Sequence, residues 1–187
     1  MGIILIGWHC LLRLGKLVNH DSINLQDFWK SINCLSVKFV DLPHPHISFF
    51  LPMHKADCFF KGSTVIFKKC SSPLDPVHLF KIYLSSRNSL FPHLPQLWLR
   101  SNGTMPMHSW FMNCICSIFP SNEVAGHSLR SGGATVLALA GTPLNKIQSI
   151  GWWSSDAFLI YLWKNPLLIQ GSLAGHSAFD AQQVTPE

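Results

Sequence analysis

Between Val124 and Pro166 the chain carries so many helix stop signals that its local folding is tightly restricted. An apolar run ends at Gly141, the residue type that best tolerates the left-handed turn closing a helix. Thr142-Pro143 then supplies an N-cap followed by proline at a first helical position. Gly151 closes this second helix. Ser154 or Ser155, with Asp156, can cap a third, which must stop before Pro166 because the residue preceding a proline leaves the helical region. Four polar or aromatic residues stand out in this run. His127 and Arg130 are three apart and share one face of a helix start. Trp152 follows a glycine, and Tyr161 sits midway along the third helix, nine residues later.

The remainder of the chain mixes both periodicities. Gly2 to Leu17 is apolar and helix-like, and it begins in mid-pattern without a cap, which leads us to expect a fragment of a longer chain. Trp29 to Val40, His46 to Leu51 and Ser63 to Lys68 read as strands, with Pro43, Pro45 and Pro52 marking ends. Pro73 to Leu90 reads as a helix whose apolar face holds Leu79, Phe80, Tyr83 and Leu84. Ser109 to Phe119 reads as another helix, with Trp98 and Trp110 as core. Residues 171–187 are small and polar, a loose tail. The expected fold class is α+β, mainly helical with a small three-stranded antiparallel sheet.

Composition restricts the function classes. Hydrophobic residues make up 48% of the 187 and charged residues only 12%, so the chain is globular and part of its surface is expected to be covered by another domain or partner. A net charge of +5 favours a polyanionic partner. The six cysteines contain no Cys-x-x-Cys pair, and Cys114-x-Cys116 is too little for a zinc site. Reduced core thiols in an intracellular, nuclear or otherwise non-secreted protein follow, since there is no signal peptide and no apolar run of about 18 residues for a membrane span. The nine acidic residues are scattered, with no Asp-x-Asp or His-x-x-x-His grouping for a catalytic metal. No cofactor and no small-molecule substrate are expected.

The pattern His127-Ser-Leu-Arg130, Gly151-Trp152 and Tyr161 resembles the signature half of a tyrosine recombinase (phage-integrase family) catalytic domain. The wording HSLRSGGAT and GWWSSDAFLIYLWKNP is most similar to the recombinase-like DNA breaking-rejoining proteins abundant in fungal genomes. Leu11-Leu-Arg13-Leu-Gly-Lys16 resembles the family's first arginine box, with Lys16 where the family commonly has an acidic residue that orients the site. The resemblance implies a catalytic domain over residues 1–170, without the core-binding domain that usually precedes it. It also implies a lysine on the sheet hairpin, for which Lys55 is the candidate and Lys61, Lys68 and Lys69 the nearby alternatives. Double-stranded DNA is the implied partner, on which relatives act as homo-oligomers.

The chemistry implied is metal-free. A phenol with a pKa near about 10 is a poor nucleophile until a neighbouring base or cation lowers the cost of ionising it. On the resemblance, Tyr161 attacks the phosphodiester. Arg13 and Arg130 fork onto the non-bridging oxygens, where planar guanidinium geometry matters. His127 accepts the tyrosine proton or donates to phosphate, and Lys55 protonates the leaving 5′ oxygen. Trp152 offers an indole N–H, a donor only. Two other readings stand beside this one: an inactive DNA-binding relic of such a recombinase, motivated by Lys16, and a helical interaction module that does not bind DNA.

Overall fold

The computed structural model describes residues 2–52, 61–71, 73–120 and 124–163. The chain divides into two compact units, residues 1–130 and 131–187. Among the described residues there are six α-helices and one three-stranded antiparallel sheet, which is the α+β class expected.

The first unit opens with α1 (Gly2–His9), whose apolar run does not continue to Leu17 as expected. The helix stops because Leu11 turns left-handed, at φ 51°. The Leu12 N–H then reaches back to the Gly7 carbonyl (2.9 Å) and the Leu11 N–H to that of Trp8 (3.3 Å), the paired bonds of a Schellman end. Leu11 has no glycine-like freedom, yet it is fully buried, and its packing holds the turn. Arg13 follows in extended conformation and leads a 3-10 turn, Leu14–Lys16.

The expected strand from Trp29 to Val40 is another correction. Only β1 (Lys38–Val40) is strand, and the stretch before it folds into 3-10 turns at Phe28–Lys30 and Cys34–Ser36. The cause is local side-chain competition for the backbone. Asp27 accepts the Trp29 N–H at 3.1 Å and Asn33 the Leu35 N–H at 2.8 Å, bending the chain before it can pair.

The other strands fall where the sequence places them: β2 (His46–Leu51) and β3 (Ser63–Phe67), in the order β1-β2-β3. Phe49 pairs with Val65 and Ile47 with Phe67, so one face gathers Ile47, Phe49, Leu51, Val65 and Phe67, all buried. Helix α2 (Pro76–Leu90) covers an aromatic cluster on that face. Asp75 caps it by accepting the Val77 N–H at 3.2 Å, and Pro76 takes the first turn, where no donor is needed. Phe80 lies 5.2 Å from Phe67 and 5.9 Å from Trp98 by ring centroids, both edge-on. Tyr83 fixes the segment bearing Trp98, donating to the Leu97 carbonyl (2.8 Å) and accepting the Leu99 N–H (2.7 Å). Burial raises the Tyr83 pKa, its bond from Leu99 working in the opposite sense. Arg87, nearly buried, is structural: its guanidinium donates to the carbonyls of Phe91, Leu94 and Gln96.

Helix α3 (His108–Ile118) is one residue out of register with the expectation and is capped from a distance. The Asp21 carboxylate accepts both the Ser109 N–H (3.1 Å) and its hydroxyl (2.7 Å). Phe111 and Ile115 form its buried stripe.

The boundary between the units falls inside α4 (Ser128–Leu139). In the second unit, α4 ends in the Schellman turn expected at Gly141 (φ 75°), with Thr142 N–H on Leu137 (3.0 Å) and Gly141 N–H on Ala138 (2.9 Å). Helix α5 (Leu144–Gly151) starts one residue later than expected, because Pro143 is extended at ψ 140° and stands at the cap. A 3-10 turn, Asp156–Phe158, and α6 (Leu159–Trp163) complete the described part. Ala134, Ile147, Phe158 and Leu162 are its buried hydrophobic residues among those described.

Candidate functional site

In the first unit the two arginine boxes meet. Arg130 is only 4% exposed, and its Nη1 donates to the Leu11 carbonyl at 2.7 Å, across 119 residues of sequence. Leu11 is two residues before Arg13, so the first turn of α4 is tied to the turn that presents the first arginine. Glycines allow that approach. A Cβ at Gly7 would stand 3.1 Å from Leu129 and 2.7 Å from Leu17. One at Gly126 would stand 3.0 Å from Leu14 and 3.5 Å from the His108 Nε2. A Cβ at either place would meet the ends of leucine side chains, which would have to shift to keep the approach.

Arg13 is half-buried, and its carbonyl accepts the Lys16 N–H at 2.8 Å. Lys16 is also half-buried. Burial lowers its pKa first, the positive charges of Lys30 and Arg13 add to this, and Asp27 opposes it. His127 is exposed, just ahead of α4, in a turn closed by the Ala125 N–H on the Ser128 hydroxyl (2.9 Å). Lys55 lies outside the described residues. Its alternatives Lys61, Lys68 and Lys69 are exposed.

In the second unit Trp152 is left-handed (φ 50°, ψ 49°) immediately after α5. The Trp153 N–H bonds back to Gln148 (3.1 Å) and the Trp152 N–H to Ser149 (3.2 Å), so a tryptophan occupies the position glycine usually takes in this helix end. A bulky residue there is strained by about 1–2 kcal/mol. The turn reverses the chain, and Trp153 then packs against the residues that follow. The Trp153 ring lies 5.5 Å from that of Phe158 and 6.2 Å from that of Tyr161. It rests on Gly151, where a Cβ would come within 1.6 Å of its Cζ3. Tyr161 is half-buried on α6, and the hydroxyl of Thr135 donates to its carbonyl at 3.4 Å. Spacing could not have assigned Trp153 this contact. The one signal for it is the tryptophan pair directly after Gly151.

Among the described residues, no three His, Cys, Asp or Glu side chains gather as a metal-ligand set, and no helix is long and apolar enough to cross a membrane.

Among solved structures, the FLP recombinase–Holliday junction complex matches this chain with a TM-score of 0.50 at 17% identity, over 83% of this chain and 37% of that one. The fold is similar to that of a tyrosine recombinase. A further match, the Tn1549 transposon integrase in complex with circular intermediate DNA, has a TM-score of 0.47 at 17% identity, over 86% of this chain and 52% of that one. The chain thus spans about a third to a half of the length of these neighbours. No protein-family profile and no curated protein matches the sequence significantly.

Proposed function

We propose that this chain is the catalytic domain of a DNA strand breaking and rejoining protein, spanning residues 1–170, that acts on double-stranded DNA as a homo-oligomer. The Tyr161 oxygen attacks the scissile phosphorus. The bond to the 5′ oxygen breaks, and that oxygen leaves as a hydroxyl with a proton from Lys55. The phenolic proton passes to His127. The phosphotyrosyl ester conserves the bond, and attack by another 5′-hydroxyl restores the diester and frees Tyr161. Arg13 and Arg130 neutralise the growing charge on the non-bridging oxygens, and the Trp152 indole N–H supplies one more donor. In other enzymes one such donor is worth about 10²–10³ in rate.

The observation that carries this reading is the Arg130 bond to the Leu11 carbonyl. It joins the two arginine boxes in a fold similar to that of the FLP recombinase. A surface arginine would not need burial against another box's backbone. The Schellman strain at Leu11 and Trp152, each within two residues of a proposed site residue or at one, supports it further, since strained backbone collects where geometry has a task.

The test is a nicked duplex that traps the covalent intermediate when the short 5′-hydroxyl fragment diffuses away. Wild type should form a protein–DNA adduct stable in denaturing gels, and Tyr161→Phe should not. DNA binding that falls steeply with salt, without adduct in either protein, would instead establish the inactive relic. Absence of salt-sensitive binding would discard both.

A further inference from the structure

The most exposed apolar side chains of the first unit gather on one short stretch. Among the described residues, the large apolar side chains exposed by 80% or more are Ile23, Trp29, Leu35 and Leu42, all between residues 23 and 42. Leu25 and Phe28, exposed by 66% and 62%, lie among them. Three 3-10 turns, Ile23–Leu25, Phe28–Lys30 and Cys34–Ser36, shorten residues 23–36 well below the roughly 40 Å that an extended chain would span. The stretch is anchored by its backbone. The carbonyl of buried Ile32 accepts the Leu97 N–H at 2.7 Å, and the Cys34 N–H donates to the Pro95 carbonyl at 2.7 Å. The Asp27 and Asn33 caps fix the turns on either side of Ile32. These side chains are thus displayed on an ordered backbone, which lowers the entropy cost of covering them.

Monomeric proteins rarely expose a contiguous apolar surface larger than a few hundred Å². At about 150–250 Å² per aromatic side chain, Phe28 and Trp29 alone expose about 300 Å². Ile23, Leu25 and Leu35 bring the total close to the roughly 800 Å² that each side of a standard interface contributes. Charge then selects the occupant. Residues 21–42 hold three of the nine acidic residues, Asp21, Asp27 and Asp41, but only two of the fourteen lysines and arginines, Lys30 and Lys38. The stretch is therefore −1 in a chain of +5, and a polyanion is not drawn to it. A second copy of the chain fits it. Here two copies can meet without opposing their basic excess, and a twofold contact can set the Asp27–Lys30 pair (2.9 Å) of one copy against the opposite charges of the other. We propose that residues 23–35 form a self-association surface through which two copies of this chain dimerise without DNA. The homo-oligomer proposed above thereby gains a surface, and the dimer stands apart from the phosphodiester chemistry.

Sedimentation equilibrium of the full chain, freed of DNA with nuclease, tests this between about 1 and about 200 μM. A monomer–dimer equilibrium with a Kd below about 100 μM is expected. Raising salt from about 0.15 M to about 0.5 M should leave it unchanged or tighter, because salt screens the repulsion between the copies and not the apolar contact. Trp29→Ser and Leu35→Ser should each weaken the dimer at least about tenfold while leaving the urea midpoint of the monomer unchanged. Leu90→Ser, an exposed apolar residue of α2 outside the stretch, should leave the Kd as it is. If either serine variant fails to fold, Ile23→Glu takes its place and should weaken the dimer by a similar factor. The proposal is overturned if the chain stays monomeric throughout, or if the dimer disappears with nuclease or salt and so was bridged by DNA. It is equally overturned if the variants within the stretch dimerise like wild type, or if Leu90→Ser weakens association as much as they do. A monomer in this experiment would leave the Tyr161 adduct assay untouched, so the two proposals fail separately.

Discussion

Consider Gly151→Ala. Elsewhere within a helix, replacing glycine by alanine is favourable by up to about 1 kcal/mol, because the alanine chain loses less backbone freedom on folding. Here the added Cβ would lie 1.6 Å from Trp153 Cζ3 and 2.1 Å from its Cε3, where ordinary carbon contacts need about 3.5 Å. The obstacle is a ring rather than the tip of a flexible chain. Either the ring stays and the backbone gives, as in overpacked cores, at about 1–3 kcal/mol, or it leaves its neighbours Phe158 and Tyr161. Leaving forfeits two aromatic pairs worth about 0.5–1.5 kcal/mol each, so both routes cost about 1–3 kcal/mol. The sign should depend on Trp153 alone. In a Trp153→Ala background the space is open, and Gly151→Ala should become neutral or stabilising by up to about 1 kcal/mol. Urea unfolding of the four proteins of this cycle, followed by far-ultraviolet circular dichroism, measures it. An effect of equal sign and size in both backgrounds would show that the Trp153 ring does not set the cost.

Other outcomes follow from the same geometry. Phe80→Ala, removing a fully buried ring at the centre of the aromatic cluster, should cost about 3–5 kcal/mol by urea unfolding; a loss below about 1 kcal/mol would mean the cluster is loosely packed. The Asp21 pKa lies below its ordinary value of 3.8, chiefly through the Ser109 hydroxyl bond and then the Ser109 N–H. Its clamp on α3 is therefore fully present above that ordinary value and fades as pH falls through the lower folded value. Protection of the Ser109 amide from hydrogen exchange should decline over that acidic range, and Asp21→Asn should abolish the decline. Burial pushes the Cys10 thiol up to about 12, whereas Cys116 is exposed. Iodoacetamide near neutral pH should label Cys116 in the folded chain and Cys10 only after denaturation; native labelling of Cys10 would contradict its burial.

Much of the secondary structure was legible because its signals are local. Gly141 acts through its own backbone, and β2 and β3 alternate clearly enough to be read one residue at a time. Residues 29–37 were misread because their apolar side chains suggested pairing, while the weaker clues, Asp27 and Asn33 each two residues before a backbone N–H they capture, decide the matter. The left-handed turns at Leu11 and Trp152 carry no local signal. Neither residue type favours that conformation, and for Leu11 the burial that holds it is a property of the folded unit. The same applies to Arg130. Its place in the motif was visible, but not its bond to a carbonyl 119 residues away, which converts two separate boxes into one structure.

The nucleophilicity of Tyr161 toward a DNA phosphodiester decides the proposed function. It can be measured without knowing the target sequence or relying on Lys55, by using an oligonucleotide whose 3′-phosphate carries a p-nitrophenyl ester, a leaving group that needs no acid. Mixing with the full chain should release p-nitrophenolate in a burst equal to the chain concentration, and mass spectrometry should find the nucleotide on the peptide containing Tyr161. No burst from wild type, or an equal burst from Tyr161→Phe, would contradict it.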